Sequence, residues 1–209
     1  MKICTWNTQG DPTQDEGKNA VLRRLYGEND ILFLQECGRL QHINIDQNHL
    51  CVVEQAGAFN IRCSTCVITK FPVHFGHFLL PSGTGRSCIF FVHDGIAYAT
   101  LHAESGGAAM ADVNYVIKQM QGNRMQYVIG GDMNCTPLQL SRDAGHRSLW
   151  IGTQNRGLLA AVSSPQANTH PSSMAVLDYF VHSQNLVFRN TQRYFLRGNS
   201  DHFPVITEF

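Results

Sequence analysis

Apolar residues along this chain come in short runs rich in β-branched and aromatic side chains, separated by polar loops. The runs are KICTWN, DILFLQE, LCVVEQ, TCVITKF, SCIFFVH, IAYATLHA, QYVIGGD, AVLDYFV and FPVITEF. Their length and composition predict strands. Two stretches carry helical spacing instead. In Glu16–Tyr26, Ala20, Val21, Leu25 and Tyr26 are expected to share a face; in Ala109–Met120, Val113, Val116, Ile117 and Met120 fall at i, i+3, i+4 and i+7. A third, short helix is predicted after Pro137, since proline suits a first helical turn and TPLQLSRDAG ends at a glycine. No linker, low-complexity segment or internal repeat interrupts the pattern. The elements predict one α/β domain over residues 1–209, built as two packed sheets flanked by helices.

Composition narrows the picture without changing it. The chain has 209 residues and is 43% apolar, enough for a substantial core. Lys+Arg and Asp+Glu both total 16, so no global basic field draws it to nucleic acid. The 7 cysteines are an odd number lying mostly inside apolar runs, which indicates buried thiols rather than a disulfide framework. Cys63 and Cys66 form a C-x-x-C, but RCSTCVIT reads as a strand and no second Cys/His pair follows at zinc spacing. Met1 leads straight into KICTWN without a signal segment, and no apolar run is long enough to cross a membrane. The chain is expected to be soluble.

The candidate chemistry lies where the strands end. Asn7 and Gln9 follow the first run, Glu36 the second, and His102 closes IAYATLH. Asp132 and Asn134 end VIGGDMN, Asp178 sits inside AVLDYFV, and Asp201 and His202 precede the last run. Each alone is ordinary, since strand-end Asp and Asn commonly cap turns and a lone His is commonly a packed residue. Together they are harder to explain that way, because carboxylates beside apolar runs are costly unless they meet a cation or a partner. Glu36 and Asp201 offer the oxygen ligands that Mg²⁺ takes alongside water and phosphate. Such an ion would offset charge developing at phosphorus. An imidazole paired with a carboxylate can take a proton from water near neutral pH, while a second imidazole serves the opposite side of the phosphate. No Ser or Cys elbow is present, which favours water as the nucleophile.

In this order WN, QE, LHA, GDMN, LDY and SDH, spread over residues 3–206, resemble the endonuclease/exonuclease/phosphatase (DNase I-like) superfamily. Within it, TWNTQG, TLHAESGGAAMADV and ANTHPSSMAVLDYFVH resemble the nuclease subunit of cytolethal distending toxins. The resemblance implies a four-layer α/β sandwich of two mixed sheets and Mg²⁺-dependent phosphodiester cleavage, with Mn²⁺ or Ca²⁺ in support. It implies that Glu36 and Asp201 hold the metal with Asn7 close by, and that Asp178 orients His202 as general base. His102 would stabilise or protonate the phosphate, Asp132 and Asn134 would position water or the scissile group, and Arg62 and Arg86 would meet substrate phosphate. For the carboxylate that orients the first histidine in pancreatic-type relatives, Glu54 is the nearest candidate.

The toxin likeness also implies a secreted protein delivered to a host nucleus together with carrier subunits. The connections around residues 39–60 and 142–156 are shorter than the toxin's, in regions the family uses for substrate and partner contact. DNA is the expected partner. The alternative is a phosphoinositide head group, cut by the same water, metal and histidines; a non-catalytic binding relative is the third reading. Neutral charge counts against DNA, since affinity for it comes largely from Lys and Arg.

Overall fold

The computed structural model describes residues 1–40, 43–55, 64–142 and 160–209. In chain order the elements are β1 (Lys2–Asn7), a 3-10 turn (Pro12–Gln14), α1 (Glu16–Glu28), β2 (Ile31–Gln35), β3 (Leu50–Val53), β4 (Thr65–Thr69), β5 (Gly76–Leu79), β6 (Ser87–His93), β7 (Ile96–His102), α2 (Ala109–Gly122), β8 (Gln126–Asp132), α3 (Pro137–Arg142), β9 (Ala160–Ser163), β10 (Asp178–Ser183), β11 (Arg189–Arg193) and β12 (Val205–Glu208). One six-stranded sheet has the order β11-β12-β1-β2-β4-β3, the other β5-β6-β7-β8-β10-β9. Both are mixed: β1 with β2 and β7 with β8 are parallel, and the remaining pairs are antiparallel.

Alternation along the strands builds the layers. In β1 and β2, Ile3, Ile31 and Phe33 enter the core between the sheets, where they meet Phe91, Tyr98 and Phe180. Cys4, Trp6, Leu32 and Leu34 point the other way and pack on Val21, Leu22 and Leu25 of α1. On the far side, Ala97, Ala99 and Leu101 of β7 meet Val113, Val116 and Ile117 of α2. Strands covered on both faces carry apolar residues at consecutive positions, so they read as continuous runs. Helix, sheet, sheet and helix make the expected four-layer sandwich. Asp15 caps α1, its Oδ1 accepting from the Lys18 amide at 2.8 Å.

Three strands left little trace in the pattern. β5, β9 and β11 are edge strands, and residues of β11 (RNTQR) are largely exposed. With one face in solvent, β11 carries no continuous apolar run. The stretch AVLDYFV becomes strand only from Asp178; Ala175 instead bridges back to His170 across a tight loop.

Two glycines bring the sheets to working distance. A Cβ on Gly130 would come within 2.7 Å of the Phe33 and Phe180 rings, and one on Gly131 would run into the Leu101 carbonyl. β8 can therefore nestle between β7 and the facing sheet only with glycine at both positions.

Among the described residues the cysteines are free, and Cys4, Cys37, Cys66, Cys88 and Cys135 are buried. Burial pushes the Cys66 thiol well up. Its C-x-x-C partner, Cys63, lies outside the described residues. No described helix is long and apolar enough to cross a membrane.

Candidate active site

Strand register decides which polar residues meet. β7 pairs with β8 so that His102 stands opposite Asp132, and β8 pairs with β10 so that Asp132 stands opposite Asp178. In the other sheet Asn7 stands opposite Gln35, the residue before Glu36. These positions share one rim, at the carboxyl ends of the parallel pairs, where α/β proteins commonly bind ligands. The Ser200–His202 loop is fastened to the same rim: Ser200 Oγ donates to the Asn7 carbonyl at 2.7 Å, and Trp6 Nε1 donates to the His202 carbonyl at 3.2 Å.

Gln9, Glu36 and Asn134 hold positive φ angles of 50°, 51° and 47°. Left-handed backbone is uncommon for such residues and clusters at functional sites. Here it lets the backbone turn sharply just past β1, β2 and β8, at the rim that carries the site.

Asp132 lies at the centre. Its Oδ2 accepts from Asn7 Nδ2 at 2.9 Å, and stands 3.7 Å from His102 Nε2 and 3.8 Å from His202 Nε2. Asn7 Nδ2 also approaches Glu36 Oε1 at 3.3 Å, and that oxygen lies 3.8 Å from His102 Nε2. His202 Nδ1 donates to Asp178 Oδ2 at 2.8 Å. Asp178 is completely buried, and Thr169 supports it, its Oγ1 accepting from the Leu177 and Asp178 amides. Asn134 is a brace: its amide donates to Asp132 Oδ1 and its Nδ2 to the Ala103 carbonyl. Arg86 Nη1 donates to the same Ala103 carbonyl.

The two imidazoles are driven apart electrostatically. Burial pulls His102 down to about 4, with the Arg86 and His202 charges adding to that against the pull of Asp132. Burial also disfavours charge on His202, but Asp178, by charge and by hydrogen bond, together with Asp132 and Asp201, outweighs it and raises the ring to about 10. Burial and the neighbouring Asp178 charge push Asp132 up. At neutral pH His102 is therefore a neutral imidazole and, without a bound cation, His202 an imidazolium.

Asp201 accepts from Gln9 Nε2 through Oδ2, and its own amide donates to Gln9 Oε1 at 3.2 Å. Its Oδ1 is buried with no hydrogen-bond partner among the described residues, and so is Asp178 Oδ1. Four carboxylates converging with unmatched buried oxygens form a donor set that suits a hard divalent cation. The family resemblance assigns that role to Glu36 and Asp201, and Asn7 Nδ2 lies 3.3 Å from Glu36 Oε1. Two tighter groups bring their ligand atoms within 4.8 Å of one another: Asp132 with Asp178 and His202, and His170 with Asp201 and His202. Glu36 is in neither, and sits on the His102 side of the rim.

The expectations from sequence divide accordingly. The structure gathers Asn7, Glu36, His102, Asp132, Asn134, Asp178, Asp201, His202 and Arg86 at one rim. Arg62 lies outside the described residues. Glu54 does not orient His102: it pairs with Arg39 at 2.6 Å on the surface, both side chains about half exposed. His102 Nδ1 is buried without a partner among the described residues. Gln9, a candidate from its strand-end position but without an assigned role, grips Asp201. His170 was not among the expected site residues; its Nε2 lies 3.9 Å from Asp201 Oδ2 and its ring 4.6 Å from that of His202. Its signal in sequence was slight, a histidine in a loop.

A model of the endonuclease/exonuclease/phosphatase family matches residues 4–202. Among solved structures, CdtB, the biologically active subunit of cytolethal distending toxin, is similar at 21% identity and a TM-score of 0.70, over 99% of this chain and 96% of that one. The cytolethal distending toxin of Actinobacillus actinomycetemcomitans matches at 19% identity and 0.72, over 99% and 97%. A mannosyl-6-phosphatase of Bacteroides thetaiotaomicron matches at 17% identity and 0.67, over 100% and 98%. No curated protein sequence matches the chain.

Proposed function

From the premise that the chain belongs to the endonuclease/exonuclease/phosphatase family and is a hydrolase of phosphate esters, we propose that it is a Mg²⁺-dependent DNA endonuclease. One observation supports this above the rest: the Nε2 atoms of His102 and His202 both lie within 4 Å of the same Asp132 oxygen. A phosphate seated there has an imidazole on either side.

A cation held by Glu36 and Asp201 would offset charge on the carboxylates and on the phosphate. With that charge compensated, His202 would give up its proton and its Nε2 would serve as the base toward water, while Asp178 holds Nδ1–H and stabilises the imidazolium that forms. Asp132, anchored by Asn7 and Asn134, orients the attacking water. His102, neutral and with Nε2 facing carboxylates, donates a hydrogen bond to the phosphate or the departing oxygen. Arg86, fastened at Ala103, supplies positive charge on the His102 side. The test is Mg²⁺-dependent nicking of supercoiled plasmid by wild type beside His202→Ala. Equal nicking by the two proteins would overturn the reading.

A net charge of zero favours a second reading, since a long DNA track needs more basic surface than a single head group. In it, the same residues remove a phosphate from a 3,4,5-trisphosphorylated inositol lipid. Parallel assays on plasmid and on that lipid in vesicles separate the two.

A further inference from the structure

Asp201 is flanked by two imidazoles in matching fashion. His202 Nε2 stands 3.9 Å from its Oδ1, and His170 Nε2 stands 3.9 Å from its Oδ2. With one ligand atom taken from each of His170, Asp201 and His202, the three lie within 4.8 Å of one another. Each ring also has its other nitrogen engaged. His202 Nδ1 donates to Asp178 at 2.8 Å, and His170 Nδ1 lies 2.7 Å from Ser173 Oγ. The Ser173 hydroxyl can donate to the His170 carbonyl at 3.3 Å, which leaves its oxygen able to accept from Nδ1–H. The longer approach of the Ser173 amide to Nδ1, 3.3 Å, is the contact given up in that tautomer. The Ser172 hydroxyl lies nearly equidistant from the two ring nitrogens, 3.2 Å from Nε2 and 3.4 Å from Nδ1, and leaves the tautomer to the closer Ser173 contact.

This is the arrangement of metal-binding histidines, in which the far nitrogen is anchored by an outer partner so that the near one presents its lone pair. The His170 loop is held firmly enough to serve. The Thr169 and His170 amides both donate to the Ala175 carbonyl, the Thr169 carbonyl accepts from the Phe203 amide at 2.9 Å, and Arg193 Nη1 donates to the Asn168 carbonyl at 2.9 Å. Tetrahedral coordination with bonds of about 2.0–2.1 Å puts ligand atoms about 3.3 Å apart. The donors, within 4.8 Å of one another, have to draw together to reach that spacing.

Two imidazoles and one carboxylate suit a borderline-soft dication, not Mg²⁺, which takes oxygen ligands. We propose that His170, Asp201 and His202 form a zinc-class site distinct in chemistry from the oxygen set for the hard cation, and that its occupation silences the enzyme. Silencing follows because the ion takes the His202 lone pair that must accept the proton from water and takes Asp201 from the hard-cation set. The inhibitory half rests on the catalytic reading above; the binding half does not.

The experiment uses the full chain stripped of metal, titrated with Zn²⁺ against a chromophoric chelator in the presence of excess Mg²⁺, and with Co²⁺ followed by absorption. Wild type should bind one Zn²⁺ per chain, and His170→Ala should weaken that affinity at least tenfold while a thermal melt shows the fold retained. Asp201→Asn should weaken it likewise. The Co²⁺ spectrum should show ligand-field bands without thiolate charge transfer. In the Mg²⁺ assay, whichever phosphate ester is cut, His170→Ala should move the Zn²⁺ inhibition midpoint upward at least tenfold. Absence of stoichiometric Zn²⁺ binding, equal affinity in His170→Ala, or a thiolate band would overturn the site. Binding as expected with no inhibition would overturn the silencing and count against His202 as the base, leaving the site standing.

Discussion

His202 Nδ1 lies 2.8 Å from Asp178 Oδ2, and Asp178 has no exposed surface. Such a carboxylate cannot find a counter-charge in water, so the imidazolium is its compensation. Two consequences follow for pH and for the metal.

Without metal, the folded ring titrates near 10 rather than its ordinary 6.5. The folded state then holds the proton more tightly than the unfolded chain. The stabilisation is fully present below about pH 6.5 and is lost as pH rises through about 10. Wild type should therefore lose more stability between pH 7 and 10 than His202→Gln does, by on the order of a few kcal/mol. Urea unfolding at several pH values reads this out; parallel pH profiles would contradict it. His102, held down to about 4, acts in the opposite sense: its contribution is present above 6.5 and lost as pH falls through 4.

Mg²⁺ should lower the titration midpoint of His202. Following the imidazole C–H signals by NMR, we expect the midpoint to fall by at least one unit on saturation with Mg²⁺ and to return on chelation. Asp201→Asn should raise the Mg²⁺ concentration needed for the shift. A midpoint indifferent to Mg²⁺ would separate the metal from Asp201 and His202.

Removal of either imidazole should stop catalysis without unfolding the chain. His102→Ala and His202→Ala are each expected to lower the nicking rate on the order of 10²–10⁴-fold with unchanged circular dichroism. Asp178→Asn should act through His202, reducing kcat more than it changes KM. Near-wild-type rates in His102→Ala would remove His102 from the reaction.

Gly131→Ala tests the scaffold. A methyl group there meets the Leu101 carbonyl, and β7 and β8 cannot part without moving His102 away from Asp132. Destabilisation of about 1–3 kcal/mol or more is expected, with a matching loss of activity. An unchanged urea midpoint would mean that the strands absorb the methyl group at no cost.

Much of the fold was legible because most strands are covered on both faces. Ile31–Gln35 is buried at every position, so nearly every residue reports strand. The edge strands report less, since β5 and β11 carry solvated faces with mixed polar residues. Among the site residues, those at the ends of buried strands stood out against their apolar surroundings. His170 had no such background: it lies in a loop, among serines and a proline, and only its position beside Asp201 gives it chemical meaning. Glu54 failed for another reason. It was offered only to fill a role that the family likeness implied, and it sits at the surface against Arg39.

Unaided, the amino-acid sequence determined the two kinds of element, the layering that buries both faces of the strands, and the stock of carboxylates, carboxamides and imidazoles at their ends. Tertiary structure decided the pairings that no likeness supplied: Asp132 shared by both rings, Gln9 on Asp201, and a third imidazole brought alongside. The reason is physical. Periodicity records which face of an element meets apolar neighbours, a local property. Which charge sits 3 Å from which other charge depends on strand register and on the exit direction of loops far apart in the chain.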